Sequence, residues 1–469
     1  MSNQETNQIS KETMTATWPI ALGAIAPMLD STMINIAIKR LNQTFNTTLD
    51  TVQWGITSYI LALAMIIPVA GWLINQFNGK RVFIGASLLF GLTSVLAGIS
   101  WNVESFIIFR IIQGLSAGVI TTLMFTLLIK TTGQEHIGKV MAVVSTPMIF
   151  GPILGPVLGG FIVRFASWRW MFFINIVVVI IAVALQMKYL PDFKPFNKAK
   201  SMDFIGIILL ALISLVFIYG LTKAADYHSF FNSVTLIYII IGVVLMIGYY
   251  FYNHHKNNDT ILPLSIFRKR NYSASFIGLF LSNIGIMGSM VIIPLYFQTF
   301  KHYTAIEAAL ALIPQGLGML ITRPYIGKAI DNYGAKWVVI ISVIIAMFGS
   351  VPLLFITQHT SIIWLSVILF IRGCSVGGIN LGMTTDAYMG LGEEEIAEAG
   401  VGINMIENVG ASFGTAFIAT TLAMVLNRLG NSMMHSIMAY HAGFLVSVVT
   451  LLIIIIPALF LTHKNQPTA

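Results

Sequence analysis

The amino-acid sequence predicts an all-α integral membrane protein built as two six-helix bundles separated by a two-helix insert. Composition gives the first reason: 57% of the 469 residues are hydrophobic and only 9% are charged, where a soluble domain averages roughly 25% charged. Hydropathy patterning gives the second. Apolar stretches of about 20 residues, each long enough to cross a ~30 Å hydrocarbon core as a helix, recur from Thr17 almost to the C-terminus. The third is an internal repeat: Pro68-x-x-Gly71-x-x-x-Asn75-x-x-Asn78-x-Lys80 returns as Pro324-x-x-Gly327-x-x-x-Asp331-x-x-Gly334-x-Lys336 at a constant offset of 256 residues, each copy closing an apolar stretch.

The elements follow in order. The tail from Met1 to Ala16 is polar and lacks the basic start and small-residue cleavage site of a signal peptide, so the first helix is expected to be retained. Six spans then fill residues 1–190: Thr17–Ile38, Val52–Ile74, Val82–Ser100, Phe106–Leu128, Val140–Arg164 and Met171–Leu190. The repeat offset is longer than six spans with short loops require, and residues 191–271 account for the excess. Their two spans, Phe204–Leu221 and Val234–Tyr252, hold no intramembrane charge and read as a peripheral scaffold. Residues 272–469 supply Ser273–Gln298, Ala305–Ile326, Trp337–Ile356, Ile362–Thr384, Val401–Leu426 and Ala442–Leu461. Halves repeated in this way are expected to be related by an axis along the membrane normal, with a ligand between them near the midplane.

The net charge of +8 reports topology. With loops assigned alternately to two sides, most Lys and Arg, including Lys80, Arg81, Lys130, Lys194, Arg268, Lys269, Arg270, Lys328 and Lys336, fall on one side. The positive-inside rule makes that side, with both termini, cytoplasmic. The expectation is a multi-pass cell-membrane protein, bacterial and monomeric, with lipid and not nucleic acid around it.

Of the 18 acids, Asp30 and Glu407 sit well inside predicted spans; Glu307 and Asp386 lie near span ends. A charge at the bilayer centre costs at least about 2.5 kcal/mol on insertion scales, so such acids ordinarily face a cavity and carry protons, ions or substrate charge. A structural pairing with an intramembrane arginine is the competing reading for Glu407. The intramembrane bases are Arg110, Arg323 and Arg372. Arg323 either snorkels to the cytoplasmic surface or faces the cavity, where it would disfavour dications and favour zwitterions or anions. Gln53, Trp54, Tyr59, Asn35, Tyr296, Gln298 and Gln315 suit an amphipathic, poorly discriminating pocket, although aromatic residues near span ends also serve as interfacial anchors.

Other chemistries are disfavoured. Cys374 is the only cysteine, which rules out an intramolecular disulfide. No histidine cluster suggests a metal site or catalysis, and no Gly-x-x-x-x-Gly-Lys-Ser/Thr loop suggests direct use of ATP. Neither a cofactor nor a metal is expected, with the proton as coupling ion.

Several segments resemble the major facilitator superfamily, and within it the fourteen-helix drug/proton antiporters related to quaternary-ammonium exporters. Leu29-Asp30-Ser31-Thr32-Met33-Ile34-Asn35-Ile36-Ala37 is similar to the family's first-helix signature. Arg110-Ile-Ile-Gln113-Gly114 resembles its basic motif in the fourth helix. Gly151-Pro152-Ile-Leu-Gly155-Pro156-Val-Leu-Gly159-Gly160, followed by Trp168-Arg169-Trp170 and Asn175, resembles its antiporter motif. Spaced by four, Gly151, Gly155 and Gly159 share one helix face and permit close approach to a neighbour, while Pro152 and Pro156 loosen the helix.

The resemblance implies the major facilitator fold, with Arg110 beside the first helix helping Asp30 release its proton. It also implies a cytoplasmic gating loop, here Gly71, Asn75, Lys80 and Arg81, with Gly327, Asp331 and Gly334 in the second copy. Asn75 replaces the acid that the family uses in a charge latch, and Asp331 keeps it. The reading is a proton-coupled efflux antiporter for amphipathic cationic or zwitterionic drugs, dyes and antiseptics, working by alternating access. Two alternatives stand beside it: a dedicated exporter of an endogenous metabolite, siderophore or lipid, and a non-transporting membrane enzyme or sensor.

Overall fold

The computed structural model describes residues 11–132, 146–195, 202–429 and 433–463. Fourteen helices of sixteen residues or more stand in those segments: α1 Lys11–Phe45, α2 Leu49–Gln76, α3 Gly79–Gly98, α4 Val103–Thr132, α5 Thr146–Phe165, α6 Trp170–Tyr189, α7 Phe204–Asp226, α8 Ser233–His255, α9 Arg270–Phe300, α10 Ile313–Tyr333, α11 Ala335–Ser350, α12 Ile362–Tyr388, α13 Glu393–Leu429 and α14 Met433–Ala458. Twelve described helices are long and apolar enough to span a membrane; α10 is not among them, and α5 contributes a shorter apolar piece, Leu154–Phe165. The fifth expected span began at Val140, and residues 140–145 lie outside the described residues.

Local sequence sets the helix ends. Thr48, Asn78, Asn232 and Ser361 accept hydrogen bonds from the first turns of α2, α3, α8 and α12, satisfying donors that helix geometry leaves free. The tenth expected span divides. A six-residue helix, Ala305–Leu310, is followed by α10, whose second residue is Pro314. Proline fits the first turn of a helix, where its missing N–H costs nothing, and cannot sit inside one without breaking a hydrogen bond.

Packing repeats across the chain. α1 packs on α4, α5 and α6, α2 on α4, and α3 on α4 and α6; α9 packs on α12, α13 and α14, α10 on α12, and α11 on α12 and α14. The pairings correspond one for one. Glycine makes the tightest of them possible: a Cβ at Gly114 of α4 would stand 2.3 Å from the Tyr59 carbonyl oxygen of α2, and one at Gly373 of α12 would stand 2.0 Å from that of Gln315 in α10. α7 lies against α2 and α13, whereas α8 packs on α7.

The two sets of helices also meet at both ends. At the end carrying Lys80 and Arg81, a Cβ at Gly71 would strike Val401 at 2.4 Å, and Gly400 faces the Thr126 hydroxyl. At the opposite end a Cβ at Gly160 of α5 would strike Ile306 of the short helix at 2.3 Å. Between these contacts lies a cavity.

Candidate functional site

Asp30 and Arg110 form a buried ion pair, with side chains 2% and 0% exposed. Isolated, either charge would cost several kcal/mol in this setting, so the remaining valences matter. The Asp30 carboxylate also accepts from Asn175 Nδ2 of α6 at 2.9 Å and from Gln113 Nε2 of α4 at 3.3 Å. Arg110 donates from Nε to the Gly55 carbonyl at 3.0 Å and from Nη1 to Gln113 Oε1 at 2.7 Å, while Nη2 has no partner. Ser94 of α3 receives a hydrogen bond from Gln113 at 2.7 Å. Five helices, α1, α2, α3, α4 and α6, thus meet in one network around the pair.

Tyr59 covers this network. Its ring centroid lies 4.1 Å from the Arg110 guanidinium carbon, and its hydroxyl donates to the Pro27 carbonyl at 3.4 Å. A cation over an aromatic face is worth about 2 kcal/mol when desolvated.

The cavity has a volume of about 420 Å³, within the range of small-molecule sites. Residues of α1, α2, α4, α9, α10, α12 and α13 line it, among them Tyr59, Gln315, Arg323 and Glu407. Glu407 has no hydrogen bond or ion pair among the described residues, which answers the competing reading that an arginine holds it. Arg323 is 6% exposed and its Nε is buried without a partner. It faces the cavity wall and does not snorkel. Asp30 departs from expectation in one respect: Ser31 and Thr32 line the cavity, but Asp30 does not, because its carboxylate turns into the α3–α4–α6 network.

The other expected pocket residues lie elsewhere. Gln53, Asn35 and Gln298 are exposed, and none lines the cavity. Trp54 stacks on Tyr219 of α7 at 6.0 Å between centroids, bracing the insert. Tyr296 is buried in an aromatic cluster with its hydroxyl bonded to the Thr357 carbonyl at 2.6 Å; it anchors a helix end. Sequence reasoning missed Asn283, Asn380, Asn404 and Asn408, all of which line the cavity. Asn404, Glu407 and Asn408 were findable: at i, i+3 and i+4 they make a polar stripe on one face of an apolar helix.

The glycine-rich face of α5 lies on α1 beside Asp30. A Cβ at Gly155 would stand 1.9 Å from Thr32 Oγ1, and Gly151 and Gly159 face Met28 and Met33. Thr32 donates to the Gly151 carbonyl at 2.9 Å. Pro156 is half-buried on this helix, and nothing is described of the Pro152 side chain.

The loop copies differ in chemistry. Asn75 is buried with its Oδ1 unpartnered, so no charge latch forms through that side chain. Asn78 instead caps α3 by accepting from the Arg81 N–H at 3.2 Å; Lys80 is half-buried and Arg81 exposed. At the equivalent position Gly334 ends α10 with φ of 84°, a conformation that favours glycine. Gly327 is buried and Asp331 half-buried. Nearby, Asp386 accepts from the backbone N–H and hydroxyl of Thr462, tying the segment after α14 to α12.

Three comparisons bear on these observations. The sequence profile of the Major Facilitator Superfamily matches residues 20–415. Among curated relatives, "Multidrug export protein EmrB" of Haemophilus influenzae is 30% identical over 402 residues, 85% of this chain and 78% of the relative. "Multidrug resistance protein B homolog" of Mycobacterium tuberculosis is 29% identical over 408 residues, 87% and 75% of the two chains. Among solved structures, a double-tryptophan mutant of XylE superposes with a TM-score of 0.66 at 18% identity over 98% of both chains, a likeness of fold. The matched profile, the twelve spans and the repeated pairings agree: the chain belongs to the Major Facilitator Superfamily and is a membrane transporter, not an enzyme.

Proposed function

We propose that the protein is a proton-coupled efflux antiporter that exports amphipathic cationic or zwitterionic compounds from the cytoplasm by alternating access. The observation that carries this reading is Glu407, a carboxylate on the wall of a drug-sized cavity with no hydrogen-bond or ion-pair partner among the described residues. It is free to hold a cationic substrate group or a proton, and one displaces the other. The relatives named as multidrug export and resistance proteins support the direction of transport and the substrate class.

Asp30 is the second proton site. Deprotonated, it holds Arg110 and binds α1 to α4; protonated, it releases the guanidinium, and Tyr59 conveys the change to the cavity wall. α5, packed without clearance on α1 and against Ile306, moves with it. The bundles 1–190 and 272–469 rock about the cavity while the insert 191–271 braces them, and the contacts at Gly71/Val401 and Gly160/Ile306 alternate. The basic loops lie in the cytoplasm, as the positive-inside rule requires. A monomer suffices because one chain encloses the cavity, and the proton is the only coupling agent. Each charge moved through 100 mV supplies about 2.3 kcal/mol.

Purified protein in liposomes with an imposed pH gradient tests the reading. Dye movement that follows the gradient and stops with a protonophore is expected; dye movement indifferent to both refutes proton coupling.

A further inference from the structure

We infer that the cavity is a two-pole site for zwitterions, with an acceptor pole on α9 and α13 that takes an N–H-bearing cation and a donor pole on α10 and α12 that takes a carboxylate or similar anion. This deepens the export reading and rests on it for its biological sense, but its content is a binding preference.

The acceptor pole follows from where the amides point. Asn283 Nδ2 donates to the Leu279 carbonyl at 2.9 Å, Asn404 Nδ2 to that of Gly400 at 2.9 Å, and Asn408 Nδ2 to that of Asn404 at 2.8 Å. A backbone carbonyl only accepts, so the helix takes one N–H of each amide and leaves its oxygen without a partner on that helix. The oxygens receive no hydrogen bond among the described residues. All three side chains line the cavity together with Glu407. The result is a carboxylate set among amide oxygens, a surface that prefers a cation able to donate hydrogen bonds.

The donor pole has the opposite chemistry. Gln315 accepts from Arg372 Nη1 at 3.3 Å through Oε1, which leaves its Nε2 hydrogens unused. Asn380 likewise spends its oxygen on the Ser282 hydroxyl. On the same cavity Arg323 presents a buried guanidinium with an unpartnered Nε. Neither Arg323 nor Arg372 has a carboxylate within ion-pairing distance among the described residues, in contrast to Arg110 with Asp30. A buried charge without a counterion is costly, and an anionic ligand group on Arg323 relieves that cost. Arg323 and Glu407 do not pair with each other, so both remain available to one ligand. A dication would set its second charge against Arg323.

Rhodamine 110, which carries an N–H-bearing cation and a carboxylate, and rhodamine 123, its methyl ester, differ in the anionic group alone. Fluorescence polarisation with purified protein in lipid nanodiscs should show tighter binding of rhodamine 110. Arg323→Gln should weaken rhodamine 110 by about 10- to 100-fold, as expected for losing a charged hydrogen bond, and change rhodamine 123 by less than about twofold. Glu407→Gln should weaken both dyes. Arg323→Lys, which keeps the charge, should retain the preference for the acid and shows that the site still folds. Equal effects of Arg323→Gln on the two dyes, or wild-type protein binding the ester as tightly as the acid, would overturn the inference. Transport is read separately. Binding that follows this pattern without pH-driven dye movement refutes export and leaves the two-pole site standing, whereas movement of both dyes with binding indifferent to Arg323 does the reverse.

Discussion

Tyr59 lays its ring over the Arg110 guanidinium, 4.1 Å from centroid to Cζ, and is at the same time part of the cavity wall. It joins the buried Asp30 pair to the wall of the proposed substrate cavity. The ring, and not the hydroxyl, carries the contact, because the bond to the Pro27 carbonyl is long at 3.4 Å. Tyr59→Phe should therefore transport dye within about twofold of wild type, while Tyr59→Leu should lose about 2 kcal/mol of stability and most transport. Thermal melting and vesicle efflux on the two variants check this.

Removing one member of the buried pair should cost more than removing both. Asp30→Ala strands the Arg110 charge and should destabilise by about 3–5 kcal/mol. Adding Arg110→Leu should recover part of that loss, since the pair's desolvation cost is then gone. A double-mutant cycle on melting free energies decides it; strict additivity would mean the pair is not coupled.

α1 and α5 touch through Gly155 and Thr32, where an added Cβ would lie 1.9 Å from the hydroxyl oxygen. Gly155→Ala should cost about 1–3 kcal/mol through overpacking. The Gly155→Ala/Thr32→Ala double variant should be more stable than Gly155→Ala alone, read as recovery of melting temperature.

How much of this was legible beforehand depended on which interactions are local. The helices, Asp30 as an anomaly and the close face of α5 follow from hydropathy, from the cost of charge in lipid and from helical spacing, whereas the proximity of Arg110 to Asp30 was implied only by the family resemblance. The rest of the Asp30 network was not legible as a site. Gln113, Asn175 and Ser94 come from three helices, and no spacing within one helix announces that they meet. Nor does sequence say which way Asp30 turns on its helix, so a carboxylate expected beside the cavity lies behind its wall. Trp54 and Tyr296 misled for a related reason: an aromatic near a helix end packs equally well on a neighbouring helix or in a pocket. Asn404 and Asn408 were legible in principle, flanking Glu407 at helical spacing.

Outside the membrane spans, Glu307 closes a capping box: its carboxylate accepts from the backbone N–H and hydroxyl of Thr304. These hydrogen bonds hold its carboxyl below the ordinary glutamate range. Its contribution to the helix carrying Ile306 is therefore complete above the unfolded value and is lost as pH falls through the lower folded one. Hydrogen exchange of residues 305–310 should quicken relative to neighbouring loops on acidification, and Glu307→Gln should flatten that dependence.

The central claim, that proton binding at Asp30 and Glu407 drives export, is tested most directly by pH-gradient-driven dye efflux from liposomes holding Asp30→Asn or Glu407→Gln, with dye binding measured on the same samples. Asp30→Asn should bind a cationic dye as wild type does but no longer respond to the gradient, and Glu407→Gln should lose both. Full gradient-dependent efflux by Asp30→Asn would contradict the account.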